Sequence, residues 1–185
     1  TPTGPAPRGR GHAPGMADDT GAERISVLLA DDNLIVREGV RALLSADPAV
    51  EVVGVAGDRD ELLAAAAALA PRVVVTDIRM PPTFQDEGIE AAREVRRLLP
   101  GTGVVVLSQF DSPSYAVDLL ADGPSGYAYL LKDHVGDPQR LGRAIREVAA
   151  GGSMLDPEIV RGLLDPAVVP RVIDRYAGAP RPRPR

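Results

Sequence analysis

Val73-Val74-Val75 sets three β-branched apolar residues in a row and then stops at Thr76-Asp77. A strand with one wet face alternates apolar and polar residues, so an unbroken valine run predicts a strand covered on both faces. That is the situation of a parallel sheet between helices. Runs of the same kind recur at Ile25-Ser26-Val27-Leu28-Leu29-Ala30, from Val50 to Val55, at Val104-Val105-Val106-Leu107-Ser108 and at Tyr127-Ala128-Tyr129-Leu130-Leu131. Helical patterns separate them, and the strict alternation predicts an α/β fold: a doubly wound five-stranded parallel sheet with helices on both faces. A chain of 185 residues leaves no room for a barrel of eight strand-helix pairs.

The helices carry their own start and stop signals. Val36, Val40, Leu43 and Leu44 recur at helical spacing behind Asp32 or Asn33 as cap. Asp58-Arg59-Asp60-Glu61 opens an alanine-rich helix that ends at Pro71. Ile89, Ala92, Val95, Leu98 and Leu99 mark a third helix, terminated by Pro100-Gly101. Ser112-Pro113 and Asp137-Pro138 are cap and first-turn pairs for two more, and Gly151-Gly152 stops the second of these. Asp156-Pro157 can begin one further short helix through Leu164.

The proline- and glycine-rich residues 1–24 are expected to be disordered, because they hold too little apolar surface to offset the entropy of ordering. Residues 25–150 form the folded domain, residues 151–165 a linker helix, and residues 166–185 a loose Pro/Arg tail.

Composition narrows the chemistry. The chain has no cysteine, which removes disulfides, thiolate metal sites and thiol nucleophiles. A net charge of -5 argues against a surface built for nucleic-acid backbones. No stretch reads as a membrane span or a signal-peptide core, so the expected location is cytoplasmic.

If the first, third, fourth and fifth strands are parallel, their carboxyl ends bring Asp31, Asp32, Asp77, Ser108 and Lys132 to one edge, where open α/β sheets bind ligands. Clustered carboxylates repel by about 1 to 4 kcal/mol per pair at surface-like dielectric. A divalent cation relieves that repulsion, and an all-oxygen site with open positions suits Mg²⁺. Lys132 offers a mobile positive charge and Ser108 a hydroxyl donor, both suited to a phosphoryl group. Each residue also has a plainer role: Asp77 as a strand end, Asp32 and Asn33 as helix caps, Lys132 as a solvated lysine, Tyr129 as core. His134 reads as a solvated loop histidine.

The joint pattern resembles the receiver domain of two-component response regulators over roughly residues 25 to 150. It comprises Asp31-Asp32 after the first strand, Asp77-Ile78-Arg79-Met80-Pro81 after the third, Ser108 after the fourth and Tyr129-Leu130-Leu131-Lys132 at the fifth. The resemblance implies a flavodoxin-like sheet of order 2-1-3-4-5 and Asp77 as phosphoacceptor. It places Mg²⁺ on Asp31, Asp32 and Asp77 with the backbone carbonyl of Arg79. Ser108 and Lys132 are implied to bind the phosphoryl oxygens, and Tyr129 to change rotamer when Ser108 is drawn in. The implied partner is a histidine kinase, with a homodimer as a further possibility. The chain is then not an enzyme beyond catalysing its own phosphorylation and dephosphorylation. Its signal passes through the fourth helix, fifth strand and fifth helix.

This chain departs from the family pattern in three places. The loop Pro81-Pro82-Thr83-Phe84-Gln85-Asp86-Glu87-Gly88 is longer than usual. Asp133 follows Lys132 where many relatives have proline, so no cis bond is expected there. Arg79 and Phe110 are bulky at the two positions that tend to control water access, which implies a long-lived phospho-Asp77.

The ending of the fifth strand and Gly151-Gly152-Ser153 resemble the LuxR-type (NarL-like) transcription regulators, whose helix-turn-helix output domain has no counterpart in these residues. DNA binding by this chain is therefore not expected, although transcription is the output in that family. Two other functions fit the same fold: an interaction module that never takes phosphate, and an aspartate-nucleophile phosphohydrolase. The latter wants a second acid where Arg79 stands.

Overall fold

The computed structural model describes residues 23–109, 113–121, 123–164, 167 and 170. The expectations for residues 1–22 and 171–185, the Ser112 cap and Phe110 lie outside the described residues. The elements run β1 (Ile25–Ala30), α1 (Leu34–Ser45), β2 (Val50–Ala56), α2 (Arg59–Leu69), β3 (Val73–Asp77), α3 (Glu87–Leu98), β4 (Gly103–Ser108), α4 (Pro113–Leu120) and β5 (Tyr127–Leu131). A 3₁₀ turn at Lys132–His134 then leads to α5 (Pro138–Ala149), β6 (Met154–Leu155) and α6 (Pro157–Leu163).

The sheet is flavodoxin-like and fully parallel, in the order β2-β1-β3-β4-β5-β6. It has six strands where five are expected from the sequence. Met154 and Leu155 pair with Ala128 and Tyr129 of β5; two residues are too few to show a period, and only the open edge of β5 makes them a strand.

Because every central strand is covered twice, its residues divide by parity between two cores. Leu28, Val74, Val104, Val106 and Tyr129 pack with Leu62 of α2, Val95 of α3, Leu119 of α4 and Ile159 of α6. Val27, Val75, Val105, Leu107 and Leu130 pack with Val40 and Leu44 of α1 and Leu141, Ile145 and Val148 of α5. The valine runs are thus explained by burial on both sides, each face receiving alternate residues.

The helix signals also find physical expression. Asn33 Oδ1 accepts the N–H groups of Ile35 and Val36 at 3.0 and 3.1 Å. Asp58 Oδ1 accepts that of Glu61 at 2.8 Å, while Glu61 reaches back to the Gly57 N–H at 2.7 Å. Asp137 caps α5, with Pro138 in its first turn. No described helix is long and apolar enough to cross a membrane.

Register places the strand ends side by side. Ala30 pairs with Thr76, Asp77 with Leu107, and Ser108 with Leu131. The residues just past β1 and β5 therefore flank the last residues of β3 and β4.

Ile145 is fully buried against the central strands, so Ile145→Ala leaves a cavity between α5 and the sheet. It should lower the unfolding free energy by about 3 kcal/mol in urea titrations, with little change in the slope of the transition.

Candidate functional site

Asp31 follows the last residue of β1 and is buried. Its Oδ1 accepts the Asn33 N–H at 2.9 Å, and its Oδ2 lies 2.8 Å from Lys132 Nζ. Its backbone carbonyl accepts a hydrogen bond from the Arg37 guanidinium at 3.0 Å, and the same nitrogen reaches the Ala56 carbonyl at 3.4 Å. Arg37 thus ties α1 to the ends of β1 and β2, and holds the backbone that presents the acid pair.

Asp77, the last residue of β3, is 7% exposed. Its Oδ1 accepts the Ile78 N–H at 2.8 Å, and its Oδ2 lies 3.0 Å from Lys132 Nζ. Asp32 is exposed beside them. Carboxylate oxygens of Asp31, Asp32 and Asp77 all lie within 4.8 Å of one another, a spacing that could hold a metal ion.

These groups line a cavity of about 340 Å³ together with Ser108, Arg79, Phe84 and Tyr115. Ser108 is buried at the end of β4. Tyr129 does not line the cavity; it lies fully buried in β5, within the apolar cluster that includes Ala116 and Leu119 of α4.

The electrostatics follow from burial. Loss of water raises the Asp77 pKa above the usual carboxylate value; Lys132 opposes that shift and the charge of Asp31 adds to it. For Lys132 burial works against the charge, but the Asp31 hydrogen bond and the Asp77 charge outweigh it and raise its pKa. The donor set is entirely oxygen, anionic and crowded, which fits a hard divalent cation. Lys132 pairs with Asp31 and Asp77, while Asp32 lies within the same cluster, and a divalent cation would relieve the repulsion among the three carboxylates.

Two functional features of the long β3–α3 loop escape sequence reasoning. The first is Glu87, 3% exposed at the start of α3. Its carboxylate turns back to accept the N–H groups of Thr83 at 2.7 Å and Gln85 at 2.9 Å, and also the Thr83 hydroxyl. Burial opposes its ionisation, but these bonds outweigh burial and hold its pKa down from 4.5 to about 2.

The second is Gly88, whose N–H donates to the Ile78 carbonyl at 2.8 Å. A Cβ there would stand 1.8 Å from the Asp77 carbonyl oxygen, so only glycine lets α3 start against the end of β3. A glycine heading an apolar helical pattern was the available signal. The Glu87 bonds had none, because they run backward into a loop of irregular shape. The only cis peptide among the described residues, Pro81-Pro82, also lies in this loop.

His134 needs a correction. It is not merely solvated: its Nδ1 lies 2.5 Å from Oδ2 of Asp156, which is 1% exposed. Arg140 approaches the same oxygen at 3.4 Å. Burial resists ionisation of Asp156, yet the His134 bond and backbone N–H groups keep its pKa below the ordinary value. The partners are 22 residues apart in sequence, and only the pairing of β6 with β5 joins them.

An acid cluster, a lysine and a hydroxyl at the carboxyl edge of a parallel sheet flanked by helices on both faces point to the receiver class of signalling domain. The chain belongs to the response regulator receiver domain family, whose model matches residues 27–146. It is 40% identical over 129 residues to the transcriptional regulatory protein YxjL of Bacillus subtilis, covering 70% of this chain and 56% of that one. It is 36% identical over 140 residues to the DNA-binding transcriptional activator DevR/DosR of Mycobacterium tuberculosis, covering 76% of this chain and 61% of that protein. This chain therefore spans less than two thirds of the length of these relatives. A solved LuxR-family two-component response regulator from Aurantimonas sp. superposes with a TM-score of 0.66 at 29% identity, covering 79% of this chain and 99% of that one. Receiver domains bind Mg²⁺ at an acidic pocket of this kind.

Two substitutions probe the loop. A carboxylate whose folded pKa is depressed stabilises the protein above its unfolded pKa, and that contribution is lost as pH falls through the folded value. The stability difference between wild type and Glu87→Gln in urea titrations should be roughly 2 kcal/mol at neutral pH. It should shrink as pH falls from 4.5 toward 2. Gly88→Ala should cost about 3 kcal/mol of stability through overpacking and displace the Asp77 backbone, visible as shifted amide resonances for residues 77 and 78.

Proposed function

We propose that this chain is a phosphoryl-accepting receiver in which Asp77 is the phosphoacceptor and a histidine kinase supplies the phosphoryl group. The observation that carries the proposal is the convergence of Asp31, Asp32, Asp77 and Lys132, from three strand ends, on one cavity. A buried carboxylate beside a lysine is suited to nucleophilic attack on phosphorus, and the Lys132 charge favours the ionised form of Asp77, which attacks without a general base.

An Asp77 oxygen attacks the phosphorus of a phosphohistidine. The O–P bond forms as the P–N bond breaks, and the bonding pair leaves with the imidazole nitrogen. Lys132 stabilises the charge on the transferring group, and the Ser108 hydroxyl donates to a phosphoryl oxygen. Asp31, Asp32, Asp77 and the Arg79 backbone carbonyl are the residues that would hold Mg²⁺. When bound, Mg²⁺ supplies the positive charge that lets three carboxylates and a phosphoryl group share the pocket.

Drawing Ser108 toward the phosphoryl group opens space above Tyr129, which lies in the same strand pair and the same cluster as α4. The responding face is α4, β5 and α5, and the output, transcription in its relatives, is reached through that face or through self-association. The proposal assigns residues 25–150 to the receiver and residues 151–165 to the connection beyond it. It assigns no DNA contact to either segment.

Incubation with Mg²⁺ and acetyl phosphate should add the mass of one phosphoryl group to the wild-type chain and none to Asp77→Asn, with Lys132→Ala slowed at least about tenfold. An unmodified wild type would instead favour switching by binding alone. Continuous release of phosphate without a stable adduct would favour a phosphohydrolase.

A further inference from the structure

The β3–α3 loop contributes Phe84 to the lining of the cavity that holds Asp77. The residue is 50% exposed, so it stands between that cavity and solvent. Its φ is +57°, a left-handed conformation that a bulky side chain rarely adopts. Nothing in free loop chemistry would choose phenylalanine for that position; asparagine or glycine would adopt it more readily.

The loop is instead held by its neighbours. The Phe84 N–H donates to the Met80 carbonyl at 3.0 Å. Glu87 grips the residues before and after it, Thr83 and Gln85. The Tyr115 hydroxyl of α4 donates to the Gln85 carbonyl at 3.1 Å. A strained backbone that its surroundings fix so fully points to a functional placement of the side chain.

The direction of attack gives the ring its use. Asp77 lines the cavity and is 7% exposed, whereas Phe84 is half exposed. Hydrolysis of the Asp77 acyl phosphate requires a water oxygen to attack phosphorus in line with the Asp77–phosphorus bond, and therefore from the side away from Asp77. The new O–P bond forms as the bond to Asp77 breaks, the electron pair returns to the carboxylate, and the water's proton passes to solvent. An apolar ring on that path excludes the water that would attack. From this geometry we infer that Phe84, held by Glu87 and tethered to α4 through Tyr115, is the gate that sets the lifetime of the phosphoryl group on Asp77. The inference rests on Asp77 being the phosphoacceptor.

The test uses the full chain loaded with Mg²⁺ and acetyl phosphate, freed of donor, and followed by intact mass as the adduct decays. Phe84→Ala should shorten the lifetime at least about fivefold, and Phe84→Leu, which keeps apolar bulk, should restore most of it. Phe84→Gly removes the ring and relieves the left-handed backbone at once, so it should lose phosphate as fast as the alanine variant. Tyr115→Phe, which loses only the tether, should fall between wild type and Phe84→Ala. Unchanged lifetimes in Phe84→Ala and Phe84→Gly, with normal loading, would overturn the gate and leave the phosphoacceptor standing. A wild type that never loads would overturn both.

Discussion

The Lys132 ammonium stands 2.8 Å from one buried acid and 3.0 Å from another, and this bridge is what lets Asp31 and Asp77 share a cavity. Two carboxylates drawn together by strand register would otherwise repel, and burial would make the repulsion worse. The parallel sheet supplies the coercion. Once β1, β3, β4 and β5 lie in register, their ends cannot avoid one another, and the lysine after β5 is placed where the acids need it. Chemistry at this edge is therefore a consequence of topology combined with the lysine that bridges two acids.

Around that centre the backbone is restrained more heavily than the side chains. Arg37 holds the Asp31 carbonyl, Gly88 lets α3 begin against the Asp77 carbonyl, and Glu87 ties down a loop that has no regular structure of its own. These residues touch no reacting atom in the proposed transfer. They fix where the reacting atoms are, which matters because an in-line displacement tolerates little misplacement. The long β3–α3 loop thus acquires order from one buried carboxylate, and Phe84 within it acquires a position that its own conformational preference opposes.

On the far side of Lys132 the 3₁₀ turn is bonded to the C-terminal segment. His134 and Arg140 converge on Asp156, and the Asp156 N–H donates to the Tyr129 carbonyl at 2.9 Å. Ile159 of α6 is fully buried with residues of α3, α4 and β5. The segment expected to be a linker contributes a strand to the sheet and a side chain to the core, while its continuation leads beyond the described residues.

The unbroken valine and leucine runs, the capping residues and the prolines were sufficient to determine the first five strands, the helices and their order, because burial on both faces and helix capping are local demands that leave local marks. The carboxyl-edge acids, Ser108 and Lys132 were legible for the same reason: each ends a strand, and a strand end shows in one dimension. The structure alone decided what depends on meetings between distant segments. Met154 and Leu155 became a strand only because β5 had an open edge. His134 found Asp156 only through that pairing. Phe84 joined the cavity lining in a loop that Glu87 and Tyr115 hold by hydrogen bonds to its neighbours. A hydrogen bond between residues far apart, or one that forces a backbone against its preference, has no period and no local composition; it exists only when the chain has closed on itself.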